Sequence, residues 1–339
     1  MSEAFASHRG DDHADARPRR RPRLVVTRRL PGPVEERLAR DYDVVAGRDD
    51  RPLTLDDWRA RSAQADAVLC TPADRVSREV VELLPPTVRI VATFSVGYNH
   101  VDLGACAERG IVVTNTPDVL TDATADVALL LLLGAARRAA EGEALMRARA
   151  WTGWTPTQLL GTHVGGKSLG IVGYGRIGQA VARRALAFGM TVHYLSRREK
   201  ADAGSPATWH PDETSFWPVC QFLSLHLPAT PETRRYLDAA RLARLPRGAI
   251  VVNTARGDVV DDDALIAALK SGHVAAAGLD VFDGEPDFRP EYADLPNTFL
   301  LPHLGSATFE TRCAMGYRAL DNLDAYFANR EPKDVVRRG

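Results

Sequence analysis

The feature that most constrains the fold is a group of three glycines, Gly173, Gly175 and Gly178, spaced as G-x-G-x-x-G. The apolar run Ser168 to Val172 precedes them and reads as a strand, and a helix-forming segment, 179 to 185, follows. In this setting the first glycine permits a tight turn, the second lets the backbone approach a pyrophosphate, and the third allows the helix to pack closely on the strand. The segment therefore predicts a dinucleotide site at a helix N-terminus. A glycine turn with a purely structural role is the alternative.

Elsewhere, short apolar runs alternate with helical segments, which is typical of βαβ units on parallel sheets. A long helix is expected over Asp122 to Arg149 and a last one over about Phe309 to Phe327. Because 339 residues suffice for two domains of ordinary size, we predict two α/β domains. The strands expected in the first are Leu24–Val26, Ala67–Leu69, Ile90–Ala92 and Ile111–Thr114. Those expected in the second are Ser168–Val172, Thr191–Leu195, Phe222–Leu225, Ala249–Asn253, Ala275–Asp280 and Thr298–Leu301.

Charge and composition favour a small-molecule partner. The net charge of -1 does not draw the chain as a whole onto nucleic acid or an anionic membrane. The longest apolar run, Val127 to Ala136, is about half of what a bilayer-spanning helix needs. No C-x-x-C pair occurs, so we expect no metal site or disulfide framework and a cytoplasmic location, with free thiols. The four cysteines are Cys70, Cys106, Cys220 and Cys313.

Residues 1 to 22 have mixed charges and end in a basic cluster that contains Arg17, Arg19, Arg20 and Arg21. They lack the apolar stretch of a secretory signal, so we expect a disordered basic tail. A targeting or nucleic-acid role for the cluster is the alternative.

The end of the second strand indicates which dinucleotide is bound. An acidic residue about 20 positions after the first glycine would accept the ribose 2'-hydroxyl of NAD(H). This chain has Ser196, Arg197 and Arg198 there. Guanidinium groups bind phosphate oxygens bidentately, so we predict that NADP(H) is preferred, with NAD(H) still possible. Alternatively, both arginines are solvated surface residues.

Three ionisable residues follow successive predicted strands of the same sheet: Arg256, Glu285 and His303. Ligands of open α/β sheets bind at the carboxyl ends of strands, so these side chains are expected to converge. Reduction of a keto acid requires a cation that holds the carboxylate and polarises the ketone, and a proton donor for the developing oxyanion. Arg256 and His303 supply these functions, and Glu285 would favour the protonated imidazole and fix its tautomer. Taken singly, each could instead be a structural or surface residue.

The ordered motifs Asn-Thr-Ala-Arg-Gly-Asp, Gly-Leu-Asp-Val-Phe-x-x-Glu-Pro and Pro-His-x-Gly-Ser, after the glycine fingerprint, resemble the D-isomer-specific 2-hydroxyacid dehydrogenase family. Within it, the glyoxylate/hydroxypyruvate reductase and glycerate dehydrogenase group is the most similar. The resemblance implies that Arg256 binds substrate, that His303 is the acid/base and that Glu285 pairs with it. It also implies that substrate binds at Ser95, Val96, Gly97, Arg256 and His303. The cofactor residues expected from the motifs and the resemblance are Gly173, Gly175, Arg176, Ile177, Gly178, Ser196, Arg197, Arg198, His226, Pro228, Thr254, Ala255, Arg256, Asp280, His303 and Gly305, with Asp280 contacting the nicotinamide amide.

The resemblance further implies two Rossmann-like or flavodoxin-like αβα domains with the active site in the cleft between them. The substrate domain would comprise residues 23–118 and 304–332, and the NAD(P)-binding domain residues 119–303. A homodimer is implied, in which the long helix and the loop Trp151 to Trp154 reach the neighbouring subunit; ordinary core packing is the alternative for these tryptophans. The leading hypothesis is an NADPH-preferring reductase of glyoxylate and hydroxypyruvate. The alternatives are a phosphoglycerate- or phosphite-dehydrogenase-like enzyme and a nucleotide-sensing protein similar to co-repressors.

Overall fold

The computed structural model describes residues 20–47, 50–200 and 206–337, so most of the predicted basic tail lies outside the described residues. Its first sheet has five parallel strands in the order β2-β1-β3-β4-β5. This is the strand order of flavodoxin-like doubly wound folds. The strands are β1 Arg23–Val26, β2 Asp43–Ala46, β3 Ala67–Cys70, β4 Ile90–Thr93 and β5 Val112–Thr114. The helices between them are α1 Gly32–Asp41, α2 Leu55–Ser62, α3 Arg78–Leu83 and α4 Leu103–Glu108.

The second sheet has seven parallel strands in the order β12-β11-β10-β9-β6-β7-β8. The order reverses between the neighbouring strands β6 and β9, which creates the switch point at which Rossmann folds bind dinucleotides. The strands are β6 Ser168–Val172, β7 Thr191–Leu195, β8 Thr208–His210, β9 Phe222–Leu225, β10 Ala249–Asn253, β11 Val274–Leu279 and β12 Thr298–Leu300. The helices are α5 Thr121–Ala136, α6 Ala139–Arg147, α7 Arg176–Ala187, α8 Glu213–Phe216, α9 Ala239–Leu242, α10 Asp262–Lys270, α11 Glu291–Asp294 and α12 Phe309–Phe327.

Apolar helix faces cover both sides of the second sheet. Helix α5 lies so close to β11 that a Cβ on Gly278 would be 2.7 Å from the Leu131 carbonyl oxygen, so glycine is required there. On the opposite face α10 buries Leu265 and Leu269 in a separate cluster. This double covering explains why the strands read as continuous apolar runs.

Helix α12 returns to the first sheet, where Leu320 and Leu323 join the core formed by Leu24, Ile90 and Phe94. Beyond it the chain forms an antiparallel bridge to β5, and the buried Asp334 accepts hydrogen bonds from Arg318 and Asn322. The C-terminal helix and the first sheet therefore share one core.

The prediction of two parallel-sheet α/β domains is confirmed. The prediction of one long helix over Asp122 to Arg149 is wrong. The helix breaks at Arg138, whose φ of 54° is left-handed, and resumes as α6. The chain returns across this break: Thr162 N–H donates to the Ala136 carbonyl at 2.8 Å, and a Cβ on Gly161 would lie 2.3 Å from the same oxygen. A continuous helix would have used that carbonyl internally.

The sequence patterns also missed β2 and β8. The expected count of six strands in the second series is wrong, because the described residues of that domain form seven. Both missed strands lie at sheet edges and contain three or four residues, with few fully buried side chains. Edge strands lack the continuous apolar run on which the prediction depended. None of the described helices is long and apolar enough to cross a membrane.

Candidate active site

His303 and Glu285 form a hydrogen-bonded pair, with the imidazole Nδ1 2.8 Å from the Glu285 Oε2. His303 follows β12 in a left-handed conformation, with φ of 54°, and its backbone N–H donates to the Asp280 carbonyl at 2.9 Å. The second oxygen of Glu285 accepts the Phe282 N–H at 2.8 Å. Since a carboxylate at Nδ1 requires the proton there, Nε2 is the ring atom left for a substrate.

Burial raises the pKa of Glu285, but the hydrogen bond and charge of His303 lower it more, so the net pKa lies below its usual value. Glu285 therefore carries its negative charge at neutral pH. This fixed charge lies 2.8 Å from the imidazole Nδ1 of His303.

Asp280 orders the loop that holds His303. Its buried carboxylate accepts the backbone N–H groups of Leu304 at 2.6 Å and Gly305 at 2.8 Å. Desolvation raises the pKa of Asp280, and these two hydrogen bonds oppose that effect. The expected contact of Asp280 with a nicotinamide amide stays a prediction, and the contacts that the structure does give this residue are structural.

Arg256 follows β10, in a turn held by Asn253. The Asn253 amide donates to the Arg256 carbonyl and accepts the Ala255 N–H, both at 2.9 Å. The guanidinium donates to the Ala255 carbonyl at 2.6 Å and to Asn99 Oδ1 of the first domain at 3.3 Å. No described carboxylate lies within 4.0 Å of it. Burial lowers the pKa of Arg256, against the opposing charge of Glu285. The half-buried cation thus lacks a close counter-ion in the described chain.

The first domain contributes the loop after β4. A Cβ on Gly97 would lie 2.0 Å from Arg256 Nη2, so only glycine lets the guanidinium approach this backbone. The amides of Val96 and Gly97 have no hydrogen-bond partner among the described residues. Free amides beside an uncompensated guanidinium form a site suited to a carboxylate.

The glycine loop lies between the end of β6 and the start of α7. A Cβ on Gly173, whose φ is 92°, would lie 2.5 Å from the His226 carbonyl oxygen, and a Cβ on Gly178 would lie 2.4 Å from the Gly173 carbonyl oxygen. Packing therefore requires both glycines. Gly175 is different, because no atom lies within 4 Å of its Cβ position. Gly175 is the N-cap residue of α7, and no described side chain caps this helix. Open space beside uncapped helix amides fits a pyrophosphate.

At the end of β7, Ser196 donates its hydroxyl to the Arg198 carbonyl at 2.6 Å, and its own carbonyl accepts the Trp209 indole N–H at 3.2 Å. Arg197 and Arg198 are exposed, and no described carboxylate pairs with either. The structure thus places two solvent-facing cations beyond the strand that neighbours β6.

The remaining expected cofactor residues lie on the same edge of the second sheet. The half-buried His226 contacts Ser224 Oγ at 2.8 Å, and burial lowers its pKa to about 4. The buried Thr254 hydroxyl has no partner among the described residues. Arg176, at the start of α7, is ion-paired with Asp118 of the first domain at 2.5 Å. Pro228, whose carbonyl accepts Thr233 Oγ1 at 2.6 Å, also lies on this edge.

Sequence reasoning missed Asn99, His100 and Asn253 as residues that shape the site. Asn253 lies three positions before Arg256 and could have been recognised from the sequence as an Asx-type turn residue. The other two have no such signal, because their contacts come from the tertiary fold.

A family model for the NAD-binding domain of D-isomer specific 2-hydroxyacid dehydrogenases matches residues 129–305. The chain is 46% identical to a glycerate dehydrogenase of Hyphomicrobium methylovorum, over 90% of this chain and 96% of that protein. The chain belongs to the D-isomer specific 2-hydroxyacid dehydrogenase family. It is accordingly an NAD(P)-dependent oxidoreductase.

Two further similar proteins extend the comparison. A glyoxylate reductase of Thermococcus litoralis is 40% identical, over 94% of this chain and 97% of that protein. The solved structure of an NADPH-dependent glyoxylate/hydroxypyruvate reductase from Sinorhizobium meliloti, in complex with NADP and malonate, superposes with a TM-score of 0.83. It is 35% identical and covers 94% of this chain and 99% of that one.

Proposed function

We propose that this dehydrogenase reduces small 2-keto acids, glyoxylate to glycolate and hydroxypyruvate to D-glycerate, with NADPH as the preferred cofactor. One observation carries the proposal: the uncompensated guanidinium of Arg256 lies against the free amides of a glycine loop, in a site that also contains an imidazole–carboxylate pair. The names of the relatives, glycerate dehydrogenase and glyoxylate reductase, support the same substrate class.

Different residues of the chain bind the substrate, polarise its ketone and donate the proton. Arg256 and the amides of Val96 and Gly97 hold the substrate carboxylate, and the guanidinium polarises the ketone. When bound, the reduced nicotinamide supplies the hydride. His303, protonated and held by Glu285, donates a proton from Nε2 to the oxygen that becomes the hydroxyl. The Glu285 carboxylate stabilises the imidazolium beforehand and keeps the ring in one orientation.

The glycine loop and the start of α7 would hold the pyrophosphate, and Ser196, Arg197 and Arg198 the ribose 2'-phosphate. The NADPH-dependent relative from Sinorhizobium meliloti supports this preference. We expect the double variant Arg197→Gln/Arg198→Gln to raise the KM for NADPH at least about tenfold and the KM for NADH less than twofold, because only NADPH has the phosphate. Arg183→Gln, which removes an exposed charge from α7, is the matched control. Equal changes for both cofactors would refute the phosphate role.

The activity itself is tested by following NADPH absorbance with a panel of 2-keto acids. We expect oxidation with glyoxylate and hydroxypyruvate and a slower rate with larger or branched acids. No absorbance loss with any acid, with either NADPH or NADH, would refute the proposed reaction.

We also propose a cytoplasmic homodimer. Trp151 and Trp154 are 49% and 78% exposed, which rules out core packing for them within one subunit. Met146 and Leu160, on the flanking segments, are also exposed. A second subunit would cover this apolar surface. Sedimentation should give twice the chain mass, and Trp151→Ser/Trp154→Ser should shift the equilibrium towards monomer. The buried free thiols suit the reducing cytoplasm.

A further inference from the structure

A chain of buried polar groups runs behind the loop of Ser95 to Gly97. The Ser95 hydroxyl donates to the Gly97 carbonyl at 2.5 Å. Thr93 Oγ1 lies 2.8 Å from Ser95 Oγ and 2.8 Å from Nε2 of His100. The three side chains of this hydrogen-bond network, those of Thr93, Ser95 and His100, are all buried.

The proton positions in this hydrogen-bond network follow from the Gly97 carbonyl at its end. A carbonyl oxygen only accepts, so the Ser95 proton points to Gly97. The hydroxyl of Thr93 must then donate to Ser95, and the proton between Thr93 and His100 must come from Nε2. The network therefore assigns His100 the Nε2–H tautomer. All donors point from His100 towards the loop.

His100 remains a neutral donor at physiological pH. Burial, with a contribution from the Arg256 charge, lowers its pKa to about 4, and the charge of Asp74 opposes this only in part. Cys70 Sγ contacts the ring at 3.9 Å, and Nδ1 has no hydrogen-bond partner among the described residues. The polar contacts of the ring are therefore all made through Nε2.

Three successive carbonyls of the loop are held from behind. The Ser95 carbonyl accepts the Thr116 N–H at 2.9 Å, the Val96 carbonyl accepts the Asn115 amide at 2.8 Å, and the Gly97 carbonyl accepts Ser95 Oγ. In a trans peptide the next residue's N–H points opposite to the carbonyl. The N–H groups of Val96, Gly97 and Tyr98 therefore point away from these donors. None of the three has a partner among the described residues.

We propose that His100 is a positioning residue for the substrate carboxylate. Through Thr93 and Ser95 it fixes the Gly97 carbonyl, and hence the orientation of the Gly97–Tyr98 peptide beside Arg256. This inference rests on the proposed function, since it assumes that the loop amides bind a carboxylate. His100 itself touches neither substrate nor cofactor and acts through the loop.

The test measures binding of oxamate, an unreactive 2-keto acid analogue, to the protein–NADPH complex by calorimetry. His100→Phe removes the Nε2–H donor. Thr93→Val interrupts the hydrogen-bond network with a side chain of the same shape. We expect each to raise the Kd for oxamate and the KM for the keto acid about five- to tenfold, the effect of one net hydrogen bond. The kcat should change less than threefold and the Kd for NADPH less than twofold. If His100→Phe does not fold, Thr93→Val carries the test.

Two comparisons separate positioning from a general packing defect. His100→Gln keeps an N–H donor at similar reach and should restore most of the affinity. The double variant Thr93→Val/His100→Phe should be no worse than either single variant, because both break one chain. Thr298→Val is the matched control: this buried threonine donates to the Tyr292 carbonyl at 2.8 Å in the second domain, and its loss should leave oxamate binding unchanged.

The outcomes distinguish the two proposals. A wild-type protein that neither binds oxamate nor reduces any keto acid would overturn the proposed function. Wild-type binding and turnover, with oxamate Kd values of His100→Phe and Thr93→Val within twofold of wild type, would overturn only the role of His100. Additive losses in the double variant would also overturn it.

Discussion

The two sheets have the same construction, but the groups at the carboxyl ends of their strands differ in kind. In the first domain the loop after β4 presents backbone amides, supported by the neutral side chains of Thr93, Ser95 and His100. In the second, the loops after β10, β11 and β12 carry the ionisable residues Arg256, Glu285 and His303.

This difference shows how the proposed carboxylate site is divided between the two domains, which are called the neutral lobe (the first domain) and the charged lobe (the second domain) below. Fixed dipoles orient a carboxylate without adding a charge that must be desolvated, whereas proton transfer and polarisation require ionisable groups. In the proposed site the first domain therefore supplies oriented backbone dipoles and the second supplies charged side chains. The contact between Gly97 and Arg256 is where the two contributions meet.

The strongest test of the second domain removes its proposed proton donor, His303. We expect His303→Gln to lower kcat about a thousandfold, in the middle of the usual range for general acid–base catalysis, and to leave the Kd for NADPH within threefold. His273→Gln is the matched control, since that imidazole contacts only the Leu242 carbonyl among its described partners, at 2.9 Å, far from the cleft. A kcat for His303→Gln within tenfold of wild type would show that the proton comes from elsewhere.

Acid should destabilise the first domain, because the buried His100 must gain a charge. Its pKa is about 4 in the folded protein, against 6.5 for an unperturbed histidine. A lowered histidine pKa means that the unfolded chain binds more protons between these values, so stability falls as pH drops below 6.5. The loss for this one group reaches about 3 kcal/mol at pH 4 and is complete only below that pH.

Denaturant unfolding at several pH values checks the sign and size of this effect. His100→Gln cannot titrate, so its free energy of unfolding should decline less steeply from pH 6.5 to 4 than that of the wild type. The groups that face the ring, Cys70, Asp74 and Arg256, are unchanged in this variant. Parallel pH slopes for the two proteins would contradict a buried neutral His100.

Much of the second domain was predictable from sequence, because its signals are local. The glycine spacing is read within six residues, and Arg256, Glu285 and His303 each follow an apolar strand. The first domain offered no comparable signal: the role of Gly97 depends on a guanidinium 159 positions later in the chain. The break at Arg138 was hidden for the same reason, since the segment that ends α5 is Gly161–Thr162. Local patterns predict elements and motifs, and long-range contacts decide the supporting residues.

Gly97→Ala tests the meeting point of the two lobes. The new methyl group would lie 2.0 Å from Arg256 Nη2, which has to move, and a displacement of this size at a binding cation costs about a hundredfold in kcat/KM. Stability should change little, because the atom displaced is the end of a flexible side chain and the Gly97 backbone is not left-handed. Gly97→Ala/Arg256→Gln should be no less active than Arg256→Gln alone. A further loss in that double variant would mean that the methyl group acts on the loop and not on the guanidinium.

Gly175→Ala should have the smallest effect of these substitutions. It separates a glycine required by protein packing from one required by the ligand, because no described protein atom lies close to the Gly175 Cβ position. No atom lies within 4 Å of the new Cβ, and φ is -83°, so alanine introduces no strain. The unfolding midpoint should therefore stay near that of the wild type, whereas the Kd for NADPH should rise about tenfold, because the methyl group occupies the space that the pyrophosphate needs. Gly32→Ala is the matched control: it adds a methyl group in equally open space at the start of α1, and NADPH binding should not change. An unchanged Kd for Gly175→Ala would mean that the cofactor does not approach this backbone, and the contrast between a glycine required by the protein and one required by its ligand would fail.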